Sequence, residues 1–217
     1  VAEGHQLHML PLATQVIKPL DPAQTPYHAS WLGESWETDL AQTQITLYEK
    51  YFDWMIVDHY SLDVRWESFM REFTSKLMVI DDLADRLHDC DLLLDQTFGR
   101  SEEAYKLRVP NNCIFMTGSK YVLLRSEFLA LRQYSLNRRK NPQLKHLLVT
   151  FGGIDDSNAT GQVLEVLKNC SLPQDCRITI VLGEAAPCLD IVREQADKLI
   201  WKTEIKVNVS NMAQLMA

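Results

Sequence analysis

Three short apolar runs, each ending in aspartate, constrain the fold of this chain more than any other feature. Each run leads directly into one or two carboxylates: residues 54–57 into Asp58, residues 77–80 into Asp81 and Asp82, and residues 90–94 into Asp95. Continuous apolar runs are typical of parallel strands that are covered on both faces. Two stretches with apolar residues at helical spacing separate the runs. One covers residues 35–50, and the other follows Asp63, which can cap a helix. The pattern predicts an α/β fold whose polar, functional edge lies at the strand carboxyl ends.

The same alternation resumes after a polar link at residues 137–142, where we place the domain boundary. We predict an amphipathic helix at residues 126–139 before the link. Beyond it, we predict strands at residues 147–151, 177–182 and 204–207 and helices at residues 157–168 and 189–199. A last helix, capped by Asn211, stops at Ala217 after about two turns, too short to be stable alone. We therefore expect an interior piece of a longer protein.

The composition excludes several classes of function. A net charge of −7 offers no concentrated positive face for nucleic acid or an anionic membrane. No apolar run approaches the roughly 18–20 residues that cross a bilayer, so we expect a cytoplasmic protein. The five cysteines form no Cys-x-x-Cys pair, which predicts neither a disulfide framework nor a zinc site. We expect no metal and no cofactor.

The strongest local motif is a strand that runs into Gly152 and Gly153 and then into a helix start containing Asp155 and Asn158. Glycines permit positive φ and close backbone approach, and free amides at a helix start suit a phosphate or diphosphate. A βα turn that simply needs glycine explains the pattern equally well. Asp155 and Asp156 would repel an anion, so binding would depend on backbone amides.

A second motif, Asp58-His59-Tyr60, follows the first apolar run. His59 could act as an acid or base, and Tyr60 could donate to a substrate oxygen or stack on a ring. Alternatively, Asp58 caps the next loop, and His59 and Tyr60 only contribute to packing. The place of the motif at a strand carboxyl end favours function.

Other polar residues favour structural roles. Asp81 and Asp82 should accept amides from the loop at residues 83–87, where Asp85 and Arg86 offer further local pairing, rather than bind a metal. Residues 5–10 alternate as a half-buried strand, so His5 and His8 should lie on its polar face. Three further histidines stand in no recognisable constellation: His28, His88 and His146.

With these residues in view, the chain resembles a family of nucleotide-sugar hydrolases. These are the UDP-2,4-diacetamido-2,4,6-trideoxy-β-L-altropyranose hydrolases (PseG) of pseudaminic acid biosynthesis, which are similar to the spore-coat polysaccharide protein SpsG. The resemblance spans nearly the whole chain. Its motifs are Gly4-His5-Gln6-Leu7-His8, Trp31-Leu32-Gly33 with Ser35, Trp36 and Asp39, Val57-Asp58-His59-Tyr60, and residues 80–86, 88–96, 121–128 and 151–158.

The resemblance implies a GT-B architecture, two Rossmann-like domains with parallel sheets that face each other across a cleft. Residues 1–139 would be the remainder of the N-terminal domain, and residues 140–217 the first half of the C-terminal, nucleotide-binding domain, so both domains would be incomplete. It also implies metal-independent hydrolysis of a UDP-linked diacetamido sugar, in which water attacks the anomeric carbon and UDP leaves. Amides and a helix N-terminus aimed at the departing diphosphate would stabilise the transition state.

The resemblance also assigns site residues. Gly152, Gly153 and Asn158, with Asp155 beside them, match the phosphate turn, and Tyr60 matches a tyrosine of the sugar pocket. The family's catalytic histidine stands in a Gly-x-Gly-His-x-x-Arg loop that this sequence lacks, so we expect the principal base upstream of Val1. Asp58, His59 and Tyr60 are the catalytic candidates within the chain.

The sequence therefore predicts a UDP-sugar hydrolase with UDP-sugar as substrate and UDP as product, of which this chain alone would be inactive. The alternatives are a module that binds UDP-sugar without cleaving it and a GT-B glycosyltransferase. A nicotinamide-binding domain is disfavoured because the Gly-x-Gly-x-x-Gly fingerprint is missing.

Overall fold

The computed structural model describes residues 4–11 and 26–217, which form two compact units. The first unit carries a four-stranded parallel sheet in the order β1-β2-β3-β4. Its strands and helices are α1 (Trp36–Leu47), β1 (Phe52–Val57), α2 (Val64–Met70), β2 (Thr74–Ile80), β3 (Leu92–Asp95) and β4 (Ile114–Thr117).

Local sequence explains where the helices of the first unit begin. The Ser35 hydroxyl accepts the amide of Thr38 at 3.1 Å, and the Asp63 carboxylate accepts the amide of Arg65 at 3.0 Å, so both helices have side-chain N-caps. The predicted cap at Asp63 is confirmed. The core beneath the sheet contains fully buried side chains, among them Met70 and Leu77.

The second unit carries a three-stranded parallel sheet in the order β5-β6-β7. Its elements are α3 (Ser126–Arg138), β5 (His146–Val149), α4 (Ala159–Leu167), β6 (Arg177–Leu182), α5 (Leu189–Ala196), β7 (Lys202–Val207) and α6 (Met212–Met216). A separate core contains Leu164, Ile178, Ile180 and Val192. Two parallel sheets with intervening helices confirm the predicted α/β class and are consistent with Rossmann-like domains.

The two compact units divide between Leu123 and Leu124, before α3. Helix α3 packs against α6, and the Arg138 guanidinium donates to the carbonyl oxygen of Ala217 at 2.6 Å. The helix therefore lies with the second sheet. The division into residues 1–139 and 140–217 as functional domains stays a prediction.

Three details of the sequence-based prediction are wrong. Residues 5–10 form no strand in the described structure and are largely exposed. Alternation of polar and apolar residues does not by itself provide a neighbouring strand to pair with. Strand β4 was not predicted. Strand β1 is an outer strand of the described sheet, so Trp54 and Ile56 remain 50% and 61% exposed rather than covered.

A further observation concerns the start of α6. Asn211 stands at the N-cap position of α6, as predicted, but its side chain forms no capping hydrogen bond; the amide of Gln214 donates to the Asn211 carbonyl instead. Across residues 4–11 and 26–217, no helix combines the length and apolarity needed to span a membrane.

Candidate functional site

In the first unit, Asp58, His59 and Tyr60 directly follow β1 at the carboxyl edge of the sheet. Asp58 is exposed, whereas His59 and Tyr60 are half-buried. The adjacent carboxyl ends of β2 and β3 bring Asp81, Asp82 and Asp95 to the same edge. The structure thus gathers the predicted residues of this unit at the edge where open α/β sheets bind ligands.

The imidazole of His59 is held in one tautomer. Its Nδ1 accepts the amide of Ser61 at 3.1 Å, so the proton of the neutral ring lies on Nε2. Burial lowers the pKa of His59 below its ordinary value of 6.5; Asp39 opposes this shift, and Arg86 reinforces it. A neutral ring with a protonated Nε2 is a hydrogen-bond donor. This geometry suits donation to a substrate oxygen better than removal of a proton from water.

Tyr60 is also held as a donor. A hydrogen bond with the Asp82 carboxylate, supported by burial, raises the pKa of Tyr60 to about 12. The phenol therefore keeps its proton at neutral pH. His28 lies against Tyr60 with ring centroids 5.5 Å apart. The view that His28 belongs to no constellation is wrong, because contact between residues 28 and 60 arises only in the folded chain.

Beneath this edge, Asp81 and Arg86 form a buried ion pair. Arg86 Nη1 lies 2.7 Å from Asp81 Oδ1, and the amide of Ala84 donates to Oδ2 at 2.9 Å. The same guanidinium donates to the carbonyl oxygens of Leu62 at 2.8 Å and His59 at 3.3 Å. The predicted structural role of Asp81 is confirmed. Arg86 also fixes the backbone of the segment that carries His59.

The buried pair continues into a larger polar network. The Tyr105 hydroxyl lies 3.0 Å from Asp81 Oδ2 and 2.8 Å from Asp95 Oδ2, which joins the ends of β2 and β3. Burial and the Asp81 charge raise the pKa of Tyr105. This tyrosine could not be recognised from the sequence, because Asp81 lies 24 residues away from it and no local pattern links the two.

The remaining predicted isolated histidines also have partners. His88 Nδ1 lies 2.7 Å from Glu67 Oε1, and both side chains are fully buried. His146 Nε2 lies 2.8 Å from the Thr179 hydroxyl on the neighbouring strand. The sequence-based view of both histidines is therefore corrected: each joins a polar pair inside its own unit.

In the second unit, the Gly152–Gly153 turn follows β5 and is exposed. Gly152 has a φ of +89°, which glycine adopts without strain. The amide of Gly183, after β6, donates to the Gly153 carbonyl at 2.7 Å, and a Cβ on Gly183 would lie 2.5 Å from that oxygen. Within the described part of the chain, the amides of residues 152–154 donate to no protein acceptor. They are open to a ligand.

The start of α4 differs from the prediction. The Asp155 carboxylate accepts the amides of Ala159 and Thr160, each at 2.9 Å, and the Asn158 side chain accepts the amide of Gly161 at 3.1 Å. Burial pushes the pKa of Asp155 up, but hydrogen bonds from Thr160 and Ala159 outweigh it and hold this pKa below its ordinary value. The expectation of free amides at the helix start is therefore wrong. Asp155 and Asn158 cap the helix, and the open amides lie in the glycine turn.

In residues 4–11 and 26–217, no three His, Cys, Asp or Glu side chains are grouped so that they could hold a metal ion. The substrate-binding roles of Gly152, Gly153, Asp155 and Asn158, and the catalytic roles of Asp58, His59 and Tyr60, stay predictions.

No protein-family model matches the chain. The chain is 30% identical over 168 residues to an uncharacterized protein of Methanocaldococcus jannaschii, a match that covers 76% of this chain and 34% of that protein. It is 28% identical over 169 residues to the UDP-2,4-diacetamido-2,4,6-trideoxy-β-L-altropyranose hydrolase of Campylobacter jejuni, a match that covers 77% of this chain and 57% of the hydrolase. The chain thus spans less than two thirds of either relative. Its sequence is distantly similar to that of a UDP-sugar hydrolase.

Proposed function

We propose that the protein containing this chain hydrolyses a UDP-linked sugar and releases UDP. The sequence similarity to a UDP-diacetamido-sugar hydrolase carries this proposal, and it favours UDP-2,4-diacetamido-2,4,6-trideoxy-β-L-altropyranose as substrate in pseudaminic acid biosynthesis. In the reaction, water attacks the anomeric carbon and the bond from that carbon to the diphosphate oxygen breaks. The electron pair leaves with UDP, and the water loses a proton.

The glycine turn of the second unit would stabilise the leaving group. Negative charge grows on the departing diphosphate, and amides fixed in advance lower the energy of that charge in the transition state. The amides of residues 152–154 are open, and Asp155 is occupied by its own helix. The contribution of Asp155 would therefore be to shape the turn, not to contact the phosphate.

The Asp58-His59-Tyr60 segment of the first unit would contact the sugar. His59, through Nε2, would donate to a sugar or acetamido oxygen, and the Tyr60 hydroxyl, whose proton goes to Asp82, would accept from a sugar hydroxyl or an acetamido N–H. Asp58 is the exposed carboxylate among the three, and an ionised carboxylate only accepts hydrogen bonds. Within the segment, the role of proton acceptor falls to Asp58.

The test is UDP release by the full protein, measured with and without an alcohol or amine acceptor. Hydrolysis predicts UDP at a rate that the acceptor does not change. Release that requires the acceptor would indicate a glycosyltransferase, and tight binding without release would indicate a binding module. Tyr60→Phe should slow UDP release, whereas Tyr48→Phe, which alters an exposed tyrosine after α1, should not.

A further inference from the structure

Four aromatic side chains cluster beside the carboxyl end of β1. The His28 ring lies at the centre, with its centroid 4.3 Å from that of Trp31, 4.8 Å from that of Tyr27 and 5.5 Å from that of Tyr60. Trp31 and Tyr60 also meet edge to face at 5.7 Å. These separations are within the range of attractive aromatic contacts. We name this group the Trp31 cluster.

Backbone contacts fix the position of the Trp31 cluster. Residues Ala29–Leu32 form a 3-10 turn, and the His28 carbonyl accepts the amide of Trp31 at 2.9 Å. The same carbonyl accepts the hydroxyl of Ser61, at 2.5 Å, from the segment after β1. Leu32 packs against the core of the first unit. The indole is therefore held against the Asp58-His59-Tyr60 segment rather than carried on a free loop.

Trp31 differs from the buried tryptophans of the chain. Trp66 and Trp201 are almost fully buried, and each donates its indole N–H to a protein oxygen, at 2.8 Å and 3.1 Å. Trp31 contacts its aromatic neighbours yet remains 62% exposed. More than half of the surface of a fixed aromatic side chain is thus open to solvent next to the polar groups of His59 and Tyr60.

We propose that Trp31 is the platform on which the sugar ring of the substrate packs. This inference rests on the proposed function, because it concerns the same edge of the first sheet. A pyranose has an apolar face of C–H groups and polar edges, and a trideoxy sugar with two acetamido groups adds three methyl groups to its apolar surface. The indole would cover the apolar face, while His59 donates to the polar edge and the Tyr60 oxygen accepts from it. Aromatic side chains provide large contact area at low entropic cost.

The uracil base offers a flat ring that could stack on the same indole, so the experiment separates the two ligands. The probe is the free 2,4-diacetamido-2,4,6-trideoxyhexose, added to the 217-residue chain and observed by saturation-transfer NMR. UDP is titrated separately. The variants are Trp31→Ala and Trp31→Phe. Trp54→Ala and Trp54→Phe are matched controls, because Trp54 is a comparably exposed tryptophan on β1 outside the cluster.

The platform predicts saturation transfer to the C6 methyl and acetamido methyl protons of the sugar. Trp31→Ala should weaken sugar binding by on the order of tenfold, Trp31→Phe should retain most of it, and both Trp54 variants should leave it unchanged. UDP affinity should be the same in all variants. No sugar signal with the unsubstituted chain, equal losses in the Trp54 and Trp31 variants, or loss of UDP affinity on Trp31→Ala would overturn the inference.

Binding of the free sugar does not require turnover, so the two proposals fail separately. If the protein binds the sugar through Trp31 but releases no UDP, the proposal that Trp31 is a platform stands and the proposed hydrolase activity is refuted. If the protein releases UDP and its KM for the UDP-sugar is unchanged by Trp31→Ala, the proposed hydrolase activity stands and the platform is refuted.

Discussion

Replacing Arg86 by methionine tests the role that the structure assigns to the buried pair beneath the candidate site. Arg86 and Asp81 have side-chain exposures of only 6% and 0%, with their charged atoms 2.7 Å apart. Arg86→Met removes the ion pair and the bonds to two backbone carbonyls. The Asp81 carboxylate would remain buried without its counter-charge. Breaking such a pair from one side costs about 3–5 kcal/mol, and we expect that loss in the free energy of unfolding.

The assay is denaturant unfolding at pH 7, followed by circular dichroism. Arg65→Met is the matched control, because Arg65 pairs with Asp63 at 2.7 Å near the surface, with the arginine 35% exposed. Such a pair contributes about 0–1 kcal/mol. The double variant Asp81→Asn/Arg86→Met removes both charges and should recover about 2 kcal/mol of the loss. Equal effects of Arg86→Met and Arg65→Met, or no recovery in the double variant, would refute the reasoning.

The pH dependence gives a second check on the same pair. Burial raises the pKa of Asp81, but Arg86 and the Ala84 amide outweigh it, so the pKa lies below its ordinary value of 3.8. The stabilisation is therefore present above pH 3.8 and is lost as pH falls through the lower, folded-state pKa. Without Arg86, burial favours the neutral acid. The deficit of Arg86→Met should therefore shrink as the pH is lowered from 7 towards 4, and a deficit that grows would contradict this.

Three further predictions address the second unit and Tyr60. Gly183→Ala should lower the free energy of unfolding by about 1–3 kcal/mol, because the new Cβ would lie 2.5 Å from the Gly153 carbonyl oxygen. Gly153→Ala places its Cβ in open space and should change the free energy of unfolding by less than about 0.5 kcal/mol. Denaturant unfolding of both variants checks this, and equal losses would contradict it. Asp155→Ala should lower the free energy of unfolding by about 1 kcal/mol by uncapping α4 and should raise the KM for UDP-sugar by loosening the turn; a raised KM at full stability would instead show a direct ligand contact. The difference in tyrosinate absorbance between the unsubstituted chain and Tyr60→Phe should titrate near pH 12, because the hydrogen bond with Asp82 holds the phenol proton. Titration at the ordinary value of 10.0 would count against that hydrogen bond.

Two of the strands that sequence reasoning located, β2 and β3, share one property: an apolar run that leads into an aspartate. Such a run can be recognised without knowing its neighbours in the fold, and β2 and β3 lie where it predicts. Asp63 was recognised as a cap for the same reason, since its partner is only two residues away. Local patterns therefore predicted the α/β class and the edge where the site residues lie.

Contacts between distant segments could not be predicted in this way. Tyr105 bridges Asp81 and Asp95, and His28 meets Tyr60, only once the chain is folded. The motif around Asp155 shows a different limit. The residues of the motif were identified from the sequence. The sequence does not show that the Asp155 carboxylate accepts hydrogen bonds from the first amides of α4, which are then not available to an anion.

The most direct test of the central claim is the reaction of the full protein with UDP-2,4-diacetamido-2,4,6-trideoxy-β-L-altropyranose in water labelled with oxygen-18. Attack at the anomeric carbon breaks the carbon–oxygen bond, so mass spectrometry should find UDP that contains no label. The free sugar is uninformative, because its anomeric oxygen exchanges with water. Labelled UDP, cleavage to UMP and a sugar phosphate, or no release of UDP would contradict the account.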